Sequence, residues 1–209
     1  MERRRLEAEG ALTTGDPKAY IFDFDGTLGT IPVDWEGVRE SLRTVTGENL
    51  EFKQIYATLD ELIARSPKLA GPVFAVLDEF EAAATPSARL YDGSRALLSR
   101  LAERSEVALV TMQGRLACSR ILERFELKQY FVRCITREDS LDRAEQLEFA
   151  LAEMEVDRAY AMFVADRLND LNAAKKARVP FTLISTHGED PAETVPIYHS
   201  LAEFAESLP

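Results

Sequence analysis

Four aspartates and a threonine stand where several apolar runs of this sequence stop. Asp23 and Asp25 follow Ala19-Tyr20-Ile21-Phe22, separated by Phe24 and followed by Gly26. Thr111 ends Val107-Ala108-Leu109-Val110, Asp166 ends the run 161–165, and Asp170 comes four residues later. If each run is a buried strand, these side chains are delivered to strand ends. Carboxylates gathered in a low-dielectric site cannot all stay ionised unless something compensates them. A divalent cation resolves the conflict, and ligation by oxygen alone suits magnesium. The expected chemistry is therefore metal-assisted.

The elements that must position these residues can be read from periodicity. After the first strand, Asp34 is placed to N-cap a helix from Trp35 to Thr46, and Gly47 to stop it. Phe52, Ile55, Tyr56, Leu59, Leu62 and Ile63 recur at three- and four-residue steps, as do Val73, Val76, Leu77 and Phe80 beyond Pro72. Three helices with no strand between them predict an inserted helical subdomain, with 84–88 as its return linker. Helices over 94–104, 115–125, 143–154 and 168–178 then alternate with strands over 107–110, 131–135, 161–165 and 181–184. Such alternation predicts a parallel sheet with helices on both faces, and ligands in such sheets bind beyond the carboxyl ends of the strands. The fold class expected is a Rossmann-like, three-layer α/β sandwich. Its core comprises residues 17–31 and 90–209, its small all-helical cap residues 32–89, and a loose leader residues 1–16.

Asp23-Phe24-Asp25-Gly26-Thr27-Leu28 resembles the first motif of the haloacid dehalogenase superfamily, in its phosphatase branch. Thr111 at its strand end resembles the second motif, and Phe163-Val164-Ala165-Asp166-Arg167-Leu168-Asn169-Asp170 the fourth. Leu90-Tyr91-Asp92-Gly93 fits the return from a helical cap. The resemblance spans about 18–184. It implies that Asp23 attacks phosphorus; with a reference pKa of about 3.9 it is anionic at pH 7 without a separate base. It further implies that Asp25 serves as general acid and then general base, for which a raised pKa is needed. Magnesium would lie between Asp23, the backbone carbonyl of Asp25 and Asp166, with Asp170 acting directly or through a water. Thr111, Met112 with its neighbouring N–H groups, and Gly26, where the backbone turns close, would surround the phosphoryl oxygens.

This sequence departs from that pattern in two places. Ala165 replaces a glycine that often precedes the acidic motif. Where the family has a lysine at the start of the helix after the third strand, this sequence reads Asp142-Arg143-Ala144. Arg143 keeps the positive charge with a different reach and is the expected phosphate-binding cation; Lys128 matches in type but is poorly placed. Blander roles compete: turn-capping for Asp23 and Asp25, a helix-dipole charge for Asp170, a solvated helix face for Arg143. The convergence of the strand ends favours the site. Cys118 and Arg124 have the spacing of a cysteine-dependent phosphatase loop, but 119–123 lacks glycine and its neighbours follow a helical pattern. An EF-hand is excluded because Leu28 and Asp34 stand where that loop needs Gly and Glu. His187 and His199 read as ordinary surface or half-buried residues.

The rest of the composition narrows the class. Of 209 residues, 25 are Lys or Arg and 36 Asp or Glu, a net charge of -11. That balance argues against nucleic acid and against an anionic membrane as partners. There is no apolar run long enough to span a bilayer, and Met1-Glu2-Arg3-Arg4-Arg5 is not followed by an apolar stretch of the kind a signal peptide needs. Two cysteines are too few for a disulfide framework, so a cytoplasmic setting is expected. The function expected is a magnesium-dependent phosphatase acting on a small phosphorylated metabolite, phosphoglycolate- or pyrophosphate-type hydrolysis being what the family implies. The alternatives are a phosphomutase of the same family or a binding protein impaired by loss of the motif lysine. No signature of oligomeric state is present.

Overall fold

The computed structural model describes residues 16–185 and 195–208. The expected leader, apart from Asp16, and His187 lie outside these. The chain opens with β1 (Ala19–Phe22) and, after a tight turn, β2 (Gly29–Thr30). Helices α1 (Trp35–Thr46), α2 (Ile55–Arg65) and α3 (Ala70–Ala84) follow, and β3 (Arg89–Leu90) returns to pair antiparallel with β2. Then come α4 (Ser94–Ala102), β4 (Glu106–Val110), α5 (Arg115–Arg124), β5 (Arg133–Ile135), α6 (Arg143–Met154), β6 (Ala161–Ala165), α7 (Leu168–Ala177) and β7 (Phe181–Ile184). The last elements are β8 (Ile197–Tyr198) and α8 (Leu201–Ser207).

Six strands form one parallel sheet in the order β5-β4-β1-β6-β7-β8. β1 lies between β4 and β6, so the chain winds outward on one side of it and then crosses to the other. That reversal opens a crevice at the carboxyl ends of β4, β1 and β6. Both faces of the sheet are covered, which is why β1 is apolar at every position. Tyr20 and Phe22 point into a core shared with Leu97, Leu98 and Leu101 of α4, Ile121 and Leu122 of α5, and Phe204 of α8. Ala19 and Ile21 point to the opposite face, against Leu147, Ala150 and Leu151 of α6 and Ala174 of α7. The result is a three-layer α/β sandwich, as the sequence predicts.

Helices α1 to α3 enclose a third apolar cluster of their own, built from Val38, Leu42, Leu59, Val73 and Leu77, with Leu141 of the loop before α6 packed against it. Each fully buried aliphatic side chain of this kind contributes about 1.5–3 kcal/mol. The caps of α1 are those expected. Asp34 accepts a hydrogen bond from the Gly37 N–H at 3.0 Å, and Gly47 closes the helix at φ 68°.

Two features lay beyond the sequence reading. The β2–β3 ribbon is only two residues per strand, too short to show a period. β8 and α8 arise from a segment that reads as Pro-rich and acidic, yet Phe204 closes the core against Tyr20 and Tyr198. Boundaries elsewhere differ by one or two residues, with β5 beginning at Arg133 rather than 131.

The helical layer is joined to the sheet by buried charge. Arg137, two residues past β5, has a side chain with no solvent exposure; it pairs with Glu81, itself buried, and with Asp78, both on α3. Its guanidinium also donates to the Met112 carbonyl at 3.2 Å, and Glu81 accepts from the Gly114 N–H at 2.9 Å. A side chain at position 114 would collide with Arg137 and Asp78, so glycine there lets the group close. Removing one member of such a pair leaves an uncompensated charge inside the protein, which costs about 3–5 kcal/mol. Glu81→Ala is therefore expected to lose about that much in urea denaturation, and adding Arg137→Met should recover most of it. A loss under about 1 kcal/mol for Glu81→Ala would show the pair to be solvent-screened in solution.

Candidate active site

The site is assembled where β1 and β6 end. Asp23 is the first residue beyond β1, and its N–H donates to the Val164 carbonyl at 3.1 Å, so it continues the parallel ladder for one more residue. Asp166 follows β6 directly, and Asp170 lies in the first turn of α7. All three are buried, and one carboxylate oxygen from each lies within 4.8 Å of the others. The structure brings these three side chains together. One oxygen of Asp166, Oδ1, is buried without a hydrogen-bond partner. Three hard oxygen donors at ion-sharing distance, with an orphaned carboxylate oxygen on one of the three residues, fit a magnesium-type cation.

The turn after Asp25 keeps the site compact. The N–H groups of Leu28 and Gly29 both donate to the Phe24 carbonyl, at 2.9 and 3.0 Å, and Gly26 donates to the Gly29 carbonyl at 2.8 Å. Gly26 has φ 91°, and a Cβ there would fall on the Asp166 carboxylate. Glycine is thus required twice over, by conformation and by space. The Asp25 carboxylate is not part of the three-aspartate cluster. It turns toward the ribbon and accepts from the Ile31 N–H at 2.9 Å.

Arg143 begins α6, whose N-terminus is fixed by Asp142 accepting from the Ala144 N–H at 2.7 Å. Its Nη2 lies 3.1 Å from Asp23 Oδ1 and its Nε 3.1 Å from Asp170 Oδ1. The arginine expected to replace the lysine therefore lies against the proposed nucleophile. Lys128 is exposed and precedes β5, at the edge where the strands begin. Thr111 is fully buried, and its hydroxyl is engaged with the Gln113 side chain while accepting from the Gln113 N–H at 3.2 Å. Met112 follows it at half-burial. Cys118 and Arg124 lie on α5, and Arg124 donates to the carbonyls of Thr85 and Pro86, which leaves it no role in a cysteine-centred loop. His199 is exposed, its N–H bonded to Glu203.

Electrostatics follow from this packing. Burial raises the Asp23 carboxyl above its ordinary value, and Arg143 is the main influence pulling it back down. Asp25 is also raised. Burial is the leading cause and the charge of Asp23 a lesser one. Asp166 is pushed up to about 7, by burial first and the charge of Asp23 second. Asp170 is pushed up to about 6 by burial, against the pull of Arg143. From the helical layer, Tyr56 packs edge-on to Trp35 at 6.3 Å, and its phenol feels the charges of Glu81, Arg137, Arg143 and Asp25. The sequence left its facing undecided.

Several residues around the site escaped the sequence reading: Gln113, Gln146, and the Arg137–Glu81–Asp78 group. Glu81 had a visible signal. It falls four residues after Leu77 and three before Ala84, on the buried stripe of α3, where an acid needs a partner. Arg137 and Gln146 carried no comparable signal.

The raised carboxylates have a signed consequence. Metal-free folded protein holds protons on Asp166 and Asp170 that the unfolded chain releases near pH 4, so this contribution to stability is lost as pH rises from about 4 through 7. A cation replaces those protons. Magnesium should accordingly raise Tm more at pH 8 than at pH 5, measured by calorimetry against EDTA, and Asp166→Asn should remove the difference. Gly26→Ala should cost about 1–3 kcal/mol in backbone strain and weaken the magnesium-induced shift. An equal shift at both pH values would contradict a shared cation site.

Comparison with known proteins agrees with this architecture. The profile of the haloacid dehalogenase-like hydrolases matches residues 20–184. Among curated protein sequences none matches the chain. Among solved structures, a protein provisionally named a phosphoglycolate phosphatase from Lactobacillus plantarum superposes with TM-score 0.65 at 21% identity, covering 92% of this chain and 99% of that one. CbbY from Rhodobacter sphaeroides, in complex with phosphate, gives 0.66 at 20%, covering 90% and 96%. A HAD phosphatase from Thermococcus onnurineus gives 0.65 at 19%, covering 90% and 96%. These identities speak for the fold alone. The profile match extends from the strand that carries Asp23, past the Asp166–Asp170 turn, to the end of β7, and the chain belongs to the haloacid dehalogenase-like hydrolase family.

Proposed function

We propose that the protein is a magnesium-dependent phosphatase that hydrolyses a small phosphorylated metabolite through a phosphoaspartate on Asp23. The observation that carries this reading is the three-aspartate cluster at the switch point, with one Asp166 oxygen orphaned and Arg143 set against Asp23. The phosphatase names of two structural relatives, and the phosphate bound to a third, support the substrate class.

A carboxylate oxygen of Asp23 attacks phosphorus and the bond to the leaving oxygen breaks. Asp25, its pKa raised by burial, gives that oxygen a proton. The deprotonated Asp25 then takes a proton from the water that attacks the phosphoaspartate, and inorganic phosphate leaves with Asp23 restored. Asp23, Asp166, Asp170 and the Asp25 carbonyl would hold the magnesium, which would supply charge neutralisation to the phosphoryl oxygens. Arg143 adds a fixed positive charge on the same side, which opposes the cost of bringing an anionic ester to an anionic nucleophile. The three-helix layer of residues 32–89 acts as a cap. Its Tyr56 is near enough to feel the charges of Arg143 and Asp25, and a cap so placed would screen the site from water and from bulky substrates.

Turnover of a panel of phosphorylated metabolites with magnesium, and its loss with EDTA, is the direct test. Asp23→Asn should abolish release of inorganic phosphate, and mass spectrometry should find no phosphoryl adduct on the variant. Asp25→Asn should lower kcat by about 10²–10⁴-fold, the usual worth of a general acid–base group. Wild-type rates in Asp23→Asn, or in chelated enzyme, would end this reading.

A further inference from the structure

The side chain of Gln146 has no solvent exposure, lies one turn into α6, and has no part in the reaction as drawn above. Its Oε1 accepts from Arg143 Nη1 at 3.0 Å. Its Nε2 donates to the Thr111 carbonyl at 3.1 Å and to the Ser140 carbonyl at 2.9 Å, with the Met112 sulfur 3.9 Å away. The amide can take only this orientation. Flipped, it would set its NH2 against a guanidinium that only donates, and its oxygen against two carbonyls that only accept.

The contacts of Arg143 explain what the amide does. Nε faces Asp170, Nη2 faces Asp23, and the remaining nitrogen, Nη1, is held by Gln146. A guanidinium is a planar fork, so its usefulness at a site depends on its rotation, whereas an ammonium has no plane to orient. Residues three apart on a helix share a face, which is why position 146 can reach the outer edge of the fork. Through Thr111 O the same amide ties α6 to the end of β4, and through Ser140 O to the loop before the helix.

We propose that Gln146 is a positioning residue. It fixes the rotation of the Arg143 guanidinium against Asp23 and makes Arg143, the β4 end and the start of α6 one rigid edge of the site. An arginine can stand at this position because the amide behind it removes the freedom that a fork brings. This proposal rests on the phosphatase reading for its catalytic consequence, but not for its geometry.

The test is a double-mutant cycle of Gln146→Met with Arg143→Lys, read on the metabolite that the wild type turns over best. Gln146→Met alone should lower kcat by about 10²-fold with a smaller change in KM, as a misplaced catalytic group does. In the Arg143→Lys background the same substitution should leave kcat within about threefold of Arg143→Lys alone, since there is no fork to hold. Equal losses in both backgrounds would overturn the proposal, because they would place the effect in the Thr111 and Ser140 contacts.

Nitrogen-15 NMR of arginine-labelled protein gives a readout that needs no turnover. The Arg143 Nη1 protons, which Gln146 accepts, should exchange with water slowly in the wild type and about 10-fold faster in Gln146→Met. An unchanged exchange rate would overturn the positioning role even if the enzyme is active. Absence of turnover for every metabolite, together with the expected change in exchange, would instead fault the phosphatase reading and leave the geometry standing. Gln146→Glu keeps an acceptor toward the guanidinium while losing the two donated bonds, and it serves if Gln146→Met does not fold. Its Arg143 Nη1 protons should stay protected; exchange about 10-fold faster than in the wild type would count against the proposal.

Discussion

The structure is organised around an electrostatic debt at the carboxyl ends of β1 and β6. Three buried aspartates share a space that one cation could fill, and burial raises all three above their ordinary pKa. Folding them together is tolerable only because the surroundings compensate. Arg143 bonds two of them, and the third keeps an oxygen with no hydrogen-bond partner among the described residues. The tight turn at Gly26 follows from the same constraint, since the Asp166 carboxylate occupies the volume that a side chain there would need. Local backbone conformation, helix placement and proton affinity are thus consequences of one concentration of charge.

A second concentration of charge fixes the helical layer. Apolar faces hold α1, α2 and α3 to one another, but apolar packing is weakly directional. The pairing of Arg137 with Glu81 and Asp78 is directional, and its hydrogen bonds to Met112 and Gly114 reach the loop that follows β4. The loop whose backbone would surround a phosphoryl group is therefore braced from the helical layer on one side and by Gln146 on the other. A rearrangement of α3 relative to the sheet would have to break a fully desolvated ion pair, so α3 is the part of the layer most firmly joined to the sheet.

The proton affinities refine the chemical reading more than they change it. Asp25 has the raised pKa that a general acid needs, but it owes this to burial beside the ribbon more than to its carboxylate neighbours. Its hydrogen bond from Ile31 ties the same carboxylate to the short β2–β3 segment. The placing of the acid thus depends on two residues per strand that no periodicity could reveal.

What the sequence determined by itself was whatever is written locally. Alternating apolar runs and amphipathic stretches define the strands and helices, and the aspartates at their ends follow from position in those runs. Asp34 and Gly47 bound α1 as their side-chain chemistry requires. What only the tertiary structure decided was every contact made across distance by groups with no local pattern: the fork of Arg143 between Asp23 and Asp170, the amide of Gln146 behind it, the buried Arg137 beneath α3, and the capture of Phe204 by the core. The physical reason is that periodicity encodes which face of an element is apolar, whereas a buried polar group is specified by partners that may lie a hundred residues away. Those partners become neighbours only when the chain has folded.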